Sequence, residues 1–231
     1  MARRTLSLAE LWKQHETLYV YIFSIALTQL TKRNCLLNDE DKISEKLCPI
    51  LNDVCFEESQ KRKKNQQKDC EIRRPEWQGP IPPVTDNELK GGKANKRPDF
   101  MCKYYNTDAS CSEDYEISLH IECKLLGNPT SKNWILNKEY VIDGIKRFDS
   151  KSHEYGKRAF SGLMIGYIIS MKPEQIVNEV NDHQQKQFPD NPLLSFQFDN
   201  PPVFKENQQL NRKNVKPSSF QLIHLWVDLR T

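Results

Sequence analysis

The segments Arg97-Pro98-Asp99-Phe100 and His120-Ile121-Glu122-Cys123-Lys124 hold two carboxylates and one lysine at a spacing that chemistry can use. Residues 117–124 alternate strictly: Ile117, Leu119, Ile121 and Cys123 are apolar, while Ser118, His120, Glu122 and Lys124 are polar. A strand has a side-chain period of two, so Glu122 and Lys124 project from one face. Residues 99–105 also read as a strand, and the polar run 106–114 between the two reads as a turn-rich link. Paired as an antiparallel hairpin, these strands set Asp99 opposite or nearly opposite Glu122, about 5 Å away. Carboxylates that close repel each other unless a cation stands between them. A hard divalent ion such as Mg2+, which binds one or two carboxylates plus water and phosphate, is the natural occupant. Such an ion would acidify a bound water and neutralise charge at phosphorus. Lys124, a compact point charge, would face that water or the scissile phosphate. The chemistry is phosphodiester hydrolysis. The spacing alone also describes a solvent-exposed Glu122–Lys124 pair; Asp99 in apposition and the strand–helix–strand pattern that follows favour the site.

An Asp after Pro98, followed on the next strand by Glu122-Cys123-Lys124, resembles the PD-(D/E)xK nuclease superfamily over roughly residues 38–170. The resemblance implies an α/β restriction endonuclease-like core, a mixed central sheet flanked by helices. It implies Asp99 and Glu122 as ligands of Mg2+ or Mn2+, the Cys123 backbone carbonyl as a further ligand, and Lys124 as the residue that positions or activates water. A further acid from the first core helix is usual in the family; Glu40 fits it, with Glu45 as the alternative. The implied function is metal-dependent endonuclease action on DNA, in bacterial restriction or defence against mobile elements. RNA cutting, structure-specific cutting and a non-catalytic subunit of a larger complex are the rival readings. Intact Asp99, Glu122 and Lys124 argue against the last.

The elements that must position these residues follow from periodicity. Residues 7–31 fit one long helix, with Ser7 as N-cap and Glu10 three residues on. Leu11, Leu18, Ile22, Ile25 and Leu30 give it a broad apolar surface, which calls for a partner helix in this chain, in a second copy or in another protein. A second helix spans 39–56, capped by Asn38 or Asp39, with Pro49 expected to kink or break it. On its wheel Glu40 lies on the Ile43, Leu47 and Val54 side, and Glu45 lies opposite. This gives an N-terminal helical arm, 1–37, and a nuclease-like domain, 38–231, carrying a basic loop insertion at 57–97. From Gln60 to Arg74 there are seven basic residues and two acidic ones, so Lys61, Arg62, Lys63 and Lys64, with Arg97, are candidates for a phosphate-backbone clamp beside the site. A solvated link is the bland reading of the same run. One short strand is expected near Cys70–Arg73. Beyond Lys124, residues 137–148 read as a helix with Tyr140, Val141, Ile145 and Phe148 inward. Residues 159–170 read as a buried strand, 173–187 as a helix, 188–219 as a proline-rich loop and 220–229 as a last strand. His120 shares the face of Glu122, as a support of the site, or as a surface histidine or one standing behind the site's own residues; Tyr140, Arg147, Tyr155 and Arg158 are candidates for nucleic-acid contact, with Tyr140 in the core and the arginines solvated as the alternative.

Composition bounds these expectations. At 231 residues the chain suits one domain with some elaboration. A net charge of +3 excludes a uniformly basic nucleic-acid coat, so charge distribution matters more than the sum. Seven cysteines with no CxxC pair read as reduced thiols of a cytoplasmic protein and not as a zinc site. The greasiest stretch, residues 18–30, is 13 residues long, too short for a bilayer, and the charged, bulky run before it argues against a signal peptide.

Overall fold

The computed structural model describes residues 6–33, 39–67, 70–85, 88, 96–199 and 201–230. The expected boundary at residues 37–38, Asn38 as a cap, Lys68 and the Gly91-Gly92 pair lie outside them. Helix α1 (Leu8–Leu30) starts at Ser7, whose hydroxyl accepts from the Glu10 N–H while the Glu10 carboxylate accepts from the Ser7 N–H. Two otherwise orphaned donors are satisfied reciprocally. Its buried stripe of Tyr19, Ile22, Phe23, Ala26, Leu27 and Leu30 packs against α2 (Glu40–Lys64) and the sheet. The helix expected as an arm thus lines the core and finds its partner helix in the same chain; Leu18 and Ile25 are half-buried at its margin. Phe23 meets Phe100 edge-on at 5.6 Å between centroids, and the Trp12 indole N–H donates to Ser161 Oγ at 2.8 Å.

Helix α2 starts at Asp39, whose side chain accepts from Lys42 N. It continues past residue 56 to Lys64, where a loop was expected. Residues 57–64 carry no core-facing stripe, but Glu, Gln, Lys and Arg are strong helix formers, and the four basic residues suit the negative end of the helix dipole. Pro49 sits inside α2 on its exposed side, where water can reach the Glu45 carbonyl that loses its bond.

Six strands form one mixed sheet in the order β1-β2-β3-β4-β6-β5: β1 (Glu76–Trp77), β2 (Phe100–Tyr105), β3 (Glu116–Leu126), β4 (Ser161–Ile168), β5 (Val203–Asn211) and β6 (Ser219–Asp228). The first three are antiparallel, β3, β4 and β6 are parallel, and β5 returns antiparallel to β6. The outline is therefore α/β with a mixed sheet flanked by helices. Two strands depart from expectation. β1 forms at Glu76–Trp77 and not at Cys70–Arg73, and β5 lies inside the segment read as loop. β5 is an edge strand of mostly polar residues, with Glu206 and Gln208 at positions on the same face as buried Phe204 and Leu210, so it lacks the apolar alternation that marks a strand.

Helix α2 covers the sheet face that carries Cys123 and Tyr167: Ser44 Oγ lies 3.2 Å from Tyr167 Oη, and Tyr167 Oη donates to Cys123 Sγ. The opposite face carries His120, Glu122, Lys124 and Met164, and is covered by the compound helix α3. It consists of an α-turn (Leu136–Glu139), a π-turn (Tyr140–Gly144) and a 3-10 turn (Ile145–Asp149). A Cβ on Gly144 would come within 2.5 Å of Met164 Cε and 3.4 Å of Lys124 Cγ, so glycine permits this close approach. Helix α4 (Pro173–Gln187), opened by proline at its first position, packs beside α3, with Asn137 Nδ2 donating to Glu179 at 2.8 Å.

Behind α3 runs a buried polar chain. Trp226 Nε1 donates to Tyr140 Oη at 2.9 Å, Tyr140 Oη lies 2.7 Å from His224 Nδ1, and His224 Nε2 lies 3.2 Å from Gln208 Oε1. Gln208 Nε2 donates to Gln184 Oε1 at 2.8 Å, and both amides donate to the Pro192 carbonyl. Tyr140 is thus in the core, as expected. Cys48, Cys55, Cys70, Cys102, Cys111 and Cys123 are all free thiols. Among the described residues no helix is long and apolar enough to cross a membrane.

Two measurements test this packing. Ile22→Ala, at a fully buried contact between α1 and the core, should cost about 2–5 kcal/mol in chemical denaturation. Pro49→Ala should raise stability by roughly 1–3 kcal/mol by restoring a helical hydrogen bond; no gain would mean that α2 is broken there.

Candidate active site

The site is built at the end of β3 that outruns β2. Register pairs Phe100 with Ile121, so β2 starts there and Asp99, one residue earlier, stands across from Glu122 as expected. Beyond that point no strand among the described residues pairs with β3 on its β2 side. In a strand the N–H and C=O of one residue point to the same side, and those of Cys123 and Leu125 face the open edge. Carboxylates fill the gap: Asp99 Oδ2 accepts from Cys123 N at 2.6 Å, and Glu40 Oε2 accepts from Leu125 N at 3.2 Å. Glu40 is the first residue of α2, where the helix dipole favours a negative charge. With no strand in the way, it reaches round from the other layer to the α3 side. Glu45 is exposed, and of the two candidate acids Glu40 is the one that reaches Lys124.

Glu122 and Lys124 project under α3. Glu122 is fully buried and Lys124 is 8% exposed. Lys124 Nζ donates to Glu40 Oε1 at 2.7 Å and lies 2.9 Å from Glu122 Oε1. Arg147, from the last turn of α3, donates Nη1 to the same Glu122 oxygen. Among the described residues, Glu122 Oε2 and Arg147 Nε are buried without a hydrogen-bond partner.

Burial dominates the electrostatics. It pushes the Glu122 carboxyl up to about 8, helped by Asp99 and opposed by Lys124 and Arg147. Burial also raises Asp99 and Glu40, against the pull of Lys124. For Lys124, burial favours the neutral amine, but Glu122, Glu40 and Asp99 outweigh it and hold the ammonium well above its ordinary value. His120 lies deeper on the same strand face, lowered to about 3 by burial, and its Nδ1 accepts from Gly156 N at 2.9 Å. It is neutral and meets the Tyr155 ring edge-on at 5.5 Å.

The ionic cluster opens into a cleft of about 410 Å³ lined by Glu40, Lys124, Trp134, Glu139, Asp143 and Arg147, among others. The basic candidates lie elsewhere. Lys61, Arg62, Lys63 and Lys64 occupy the far end of α2, about 30 Å from Glu40 at 1.5 Å per residue, and Lys61 pairs with Glu58. They do not stand beside the site. Arg97 is exposed two residues before Asp99. Arg158 pairs with Glu88 and Glu113.

Arg147 was left open by the sequence, which offered a signal: it lies seven residues after inward-facing Tyr140, two helical turns on, and so on the buried stripe. Among the described residues no group of three or more His, Cys, Asp or Glu surrounds a common ion-sized point; Lys124 stands between Glu40 and Glu122. The donor chemistry nevertheless fits a hard divalent ion. Asp99 and Glu122 supply carboxylate oxygens, Glu122 Oε2 is an orphaned buried acceptor, and the Cys123 carbonyl faces the open edge. Comparison with protein-family models, with curated proteins and with solved structures finds no match to this chain.

A stability measurement follows from Glu122. Its carboxyl ionises near 4.5 in an unfolded chain and at about 8 in the fold, so the native state holds the proton more tightly. Stability from this group is full below 4.5 and lost as pH rises through 8. In chelator, the wild type should lose stability relative to Glu122→Gln between pH 5 and pH 8.5, by at least about 1.4 kcal/mol, the equivalent of one pKa unit. Parallel pH curves would refute the burial argument.

Proposed function

We propose that this chain is an Mg2+- or Mn2+-dependent endonuclease of the PD-(D/E)xK type that hydrolyses phosphodiester bonds in DNA. The observation that carries the reading is the convergence of Asp99, Glu122 and Lys124 on the open edge of β3, with Glu122 Oε2 buried and without a partner among the described residues. The mixed sheet and the α3 crossover between parallel β3 and β4 support a restriction endonuclease-like core. Asp99, Glu122 and the Cys123 carbonyl would hold the ion, which when bound supplies an acidified water and charge neutralisation at phosphorus. Lys124 keeps its proton and presents a fixed positive charge to the attacking water or the phosphate. Glu40 orients the Lys124 ammonium and closes the Leu125 backbone donor. Arg147 offsets the charge of Glu122 and gives the cleft a second cation.

Supercoiled plasmid, linear duplex, single-stranded DNA and RNA, each with Mg2+, Mn2+ or EDTA, test the reading and separate DNA from RNA as substrate. Asp99→Asn and Lys124→Ala should each lower cleavage by at least about 100-fold, in line with removal of a charged catalytic group. Removing one partner of a buried ion pair destabilises by roughly 3–5 kcal/mol, so Lys124→Ala is assayed well below its melting temperature, with circular dichroism as the control. Undiminished cleavage by folded Lys124→Ala protein would remove Lys124 from the mechanism.

A further inference from the structure

Trp134 is 51% exposed and lines the same cleft as Lys124, Glu40 and Arg147. It is held there by a tight turn. Trp134 N donates to the Ser131 carbonyl at 3.2 Å, and Thr130 N donates to the Trp134 carbonyl at 3.1 Å. The loop's root is fixed as well, with Gly127 N donating to Asn137 Oδ1 and Asn128 N to Ser170 Oγ. A large indole face is thus kept in water, at a set place, beside buried Lys124 and half-buried Arg147. The cleft's volume of about 410 Å³ has room for a small ligand of nucleotide size. Its carboxylates at Glu139 and Asp143 offer acceptors to exocyclic amino groups of a base, while Lys124 and Arg147 are the groups that attract phosphate.

Resting on the nuclease reading, we propose that Trp134 is the stacking platform for an unpaired nucleobase next to the scissile phosphate, so that the substrate is single-stranded or locally unpaired nucleic acid. Every base has a π-face, and stacking on an aromatic side chain needs that face free. In a continuous duplex the neighbouring base pairs cover it. Aromatic stacking beside a cationic groove is a recurrent way to hold a single strand without reading its sequence.

The test is titration of the full chain with an oligodeoxycytidylate single strand and with a blunt duplex, in Ca2+ in place of Mg2+, read by tryptophan fluorescence and by anisotropy of a labelled strand. Trp12 and Trp226 are buried, so quenching by the single strand should vanish in Trp134→Phe apart from any signal of Trp77. By anisotropy, Trp134→Ala should bind the single strand at least about fivefold more weakly, the lower end of the stacking range. Trp134→Phe, which keeps a ring, should recover most of that loss, and duplex binding should change by less than about twofold. Single-strand binding by Trp134→Ala equal to wild type overturns the proposal, and would leave Trp134 as a contact for a protein partner. Equal loss on single strand and duplex overturns it too. If wild type cleaves nucleic acid and Trp134→Ala is indifferent to strandedness, this inference falls and the nuclease reading stands. If wild type neither binds nor cleaves any nucleic acid, the nuclease reading falls first.

Discussion

β3 runs past the start of β2, and the backbone it leaves uncovered organises everything around it. The Cys123 and Leu125 N–H groups face a side where no strand among the described residues pairs with them. A buried donor without a partner costs roughly 1–3 kcal/mol. Asp99, from the residue before β2, and Glu40, from the first turn of α2, supply the missing acceptors. Two acids from distant parts of the chain are therefore held at one strand end by an ordinary backbone requirement, before any ligand is considered. Sheet and helix layers meet there because no third strand keeps them apart.

That arrangement concentrates negative charge, and the structure answers with two cations from elements that could be tuned separately. Lys124 belongs to the strand itself, and Arg147 arrives from α3. The approach of α3 depends on Gly144 and on the π-turn just before it. π-turns recur where a helix must present side chains to a functional site. Glu122 remains poorly satisfied even so, with one oxygen shared between both cations and the other without a partner. A buried carboxylate left in that state opposes stability, which is the pattern expected where a local rule yields to function.

The parts of this design that sequence exposed are those with a short period or a local signature. Alternation over residues 117–124 identified the strand and placed Glu122 with Lys124, and the hairpin argument placed Asp99 opposite. The wheel of α2 chose Glu40 over Glu45 because its N-terminal half carries an apolar stripe. Past Cys55 that stripe ends, and the helix continues on propensity and end-charge alone, which a search for periodicity does not register. The edge strand β5 escapes notice for a different reason: its burial alternates, but inward Gln208 is polar and is satisfied by hydrogen bonds, so the alternation leaves no apolar mark. Arg147 is the residue whose role the sequence leaves open at the greatest cost. A charged residue on an inward stripe is ambiguous until its counter-charge is known, and Glu122 is 25 residues away in sequence.

The hydrogen-bonded chain behind α3 has a consequence of its own, because its two ends are chemically unequal. The Trp226 indole can only donate, and the Pro192 carbonyl can only accept. Every bond between them must then point the same way. Tyr140 receives from Trp226 and gives to His224 Nδ1; His224 gives from Nε2 to Gln208; Gln208 gives to Gln184, and both amides end on Pro192. His224 is confined to one tautomer, and burial, which lowers it to about 3, keeps it neutral over the physiological range. A chain of rotatable hydroxyls can invert its polarity, but this one has no second orientation. The core that backs α3 is left with a single proton arrangement, so the helix that carries Arg147 rests on a foundation without an alternative state.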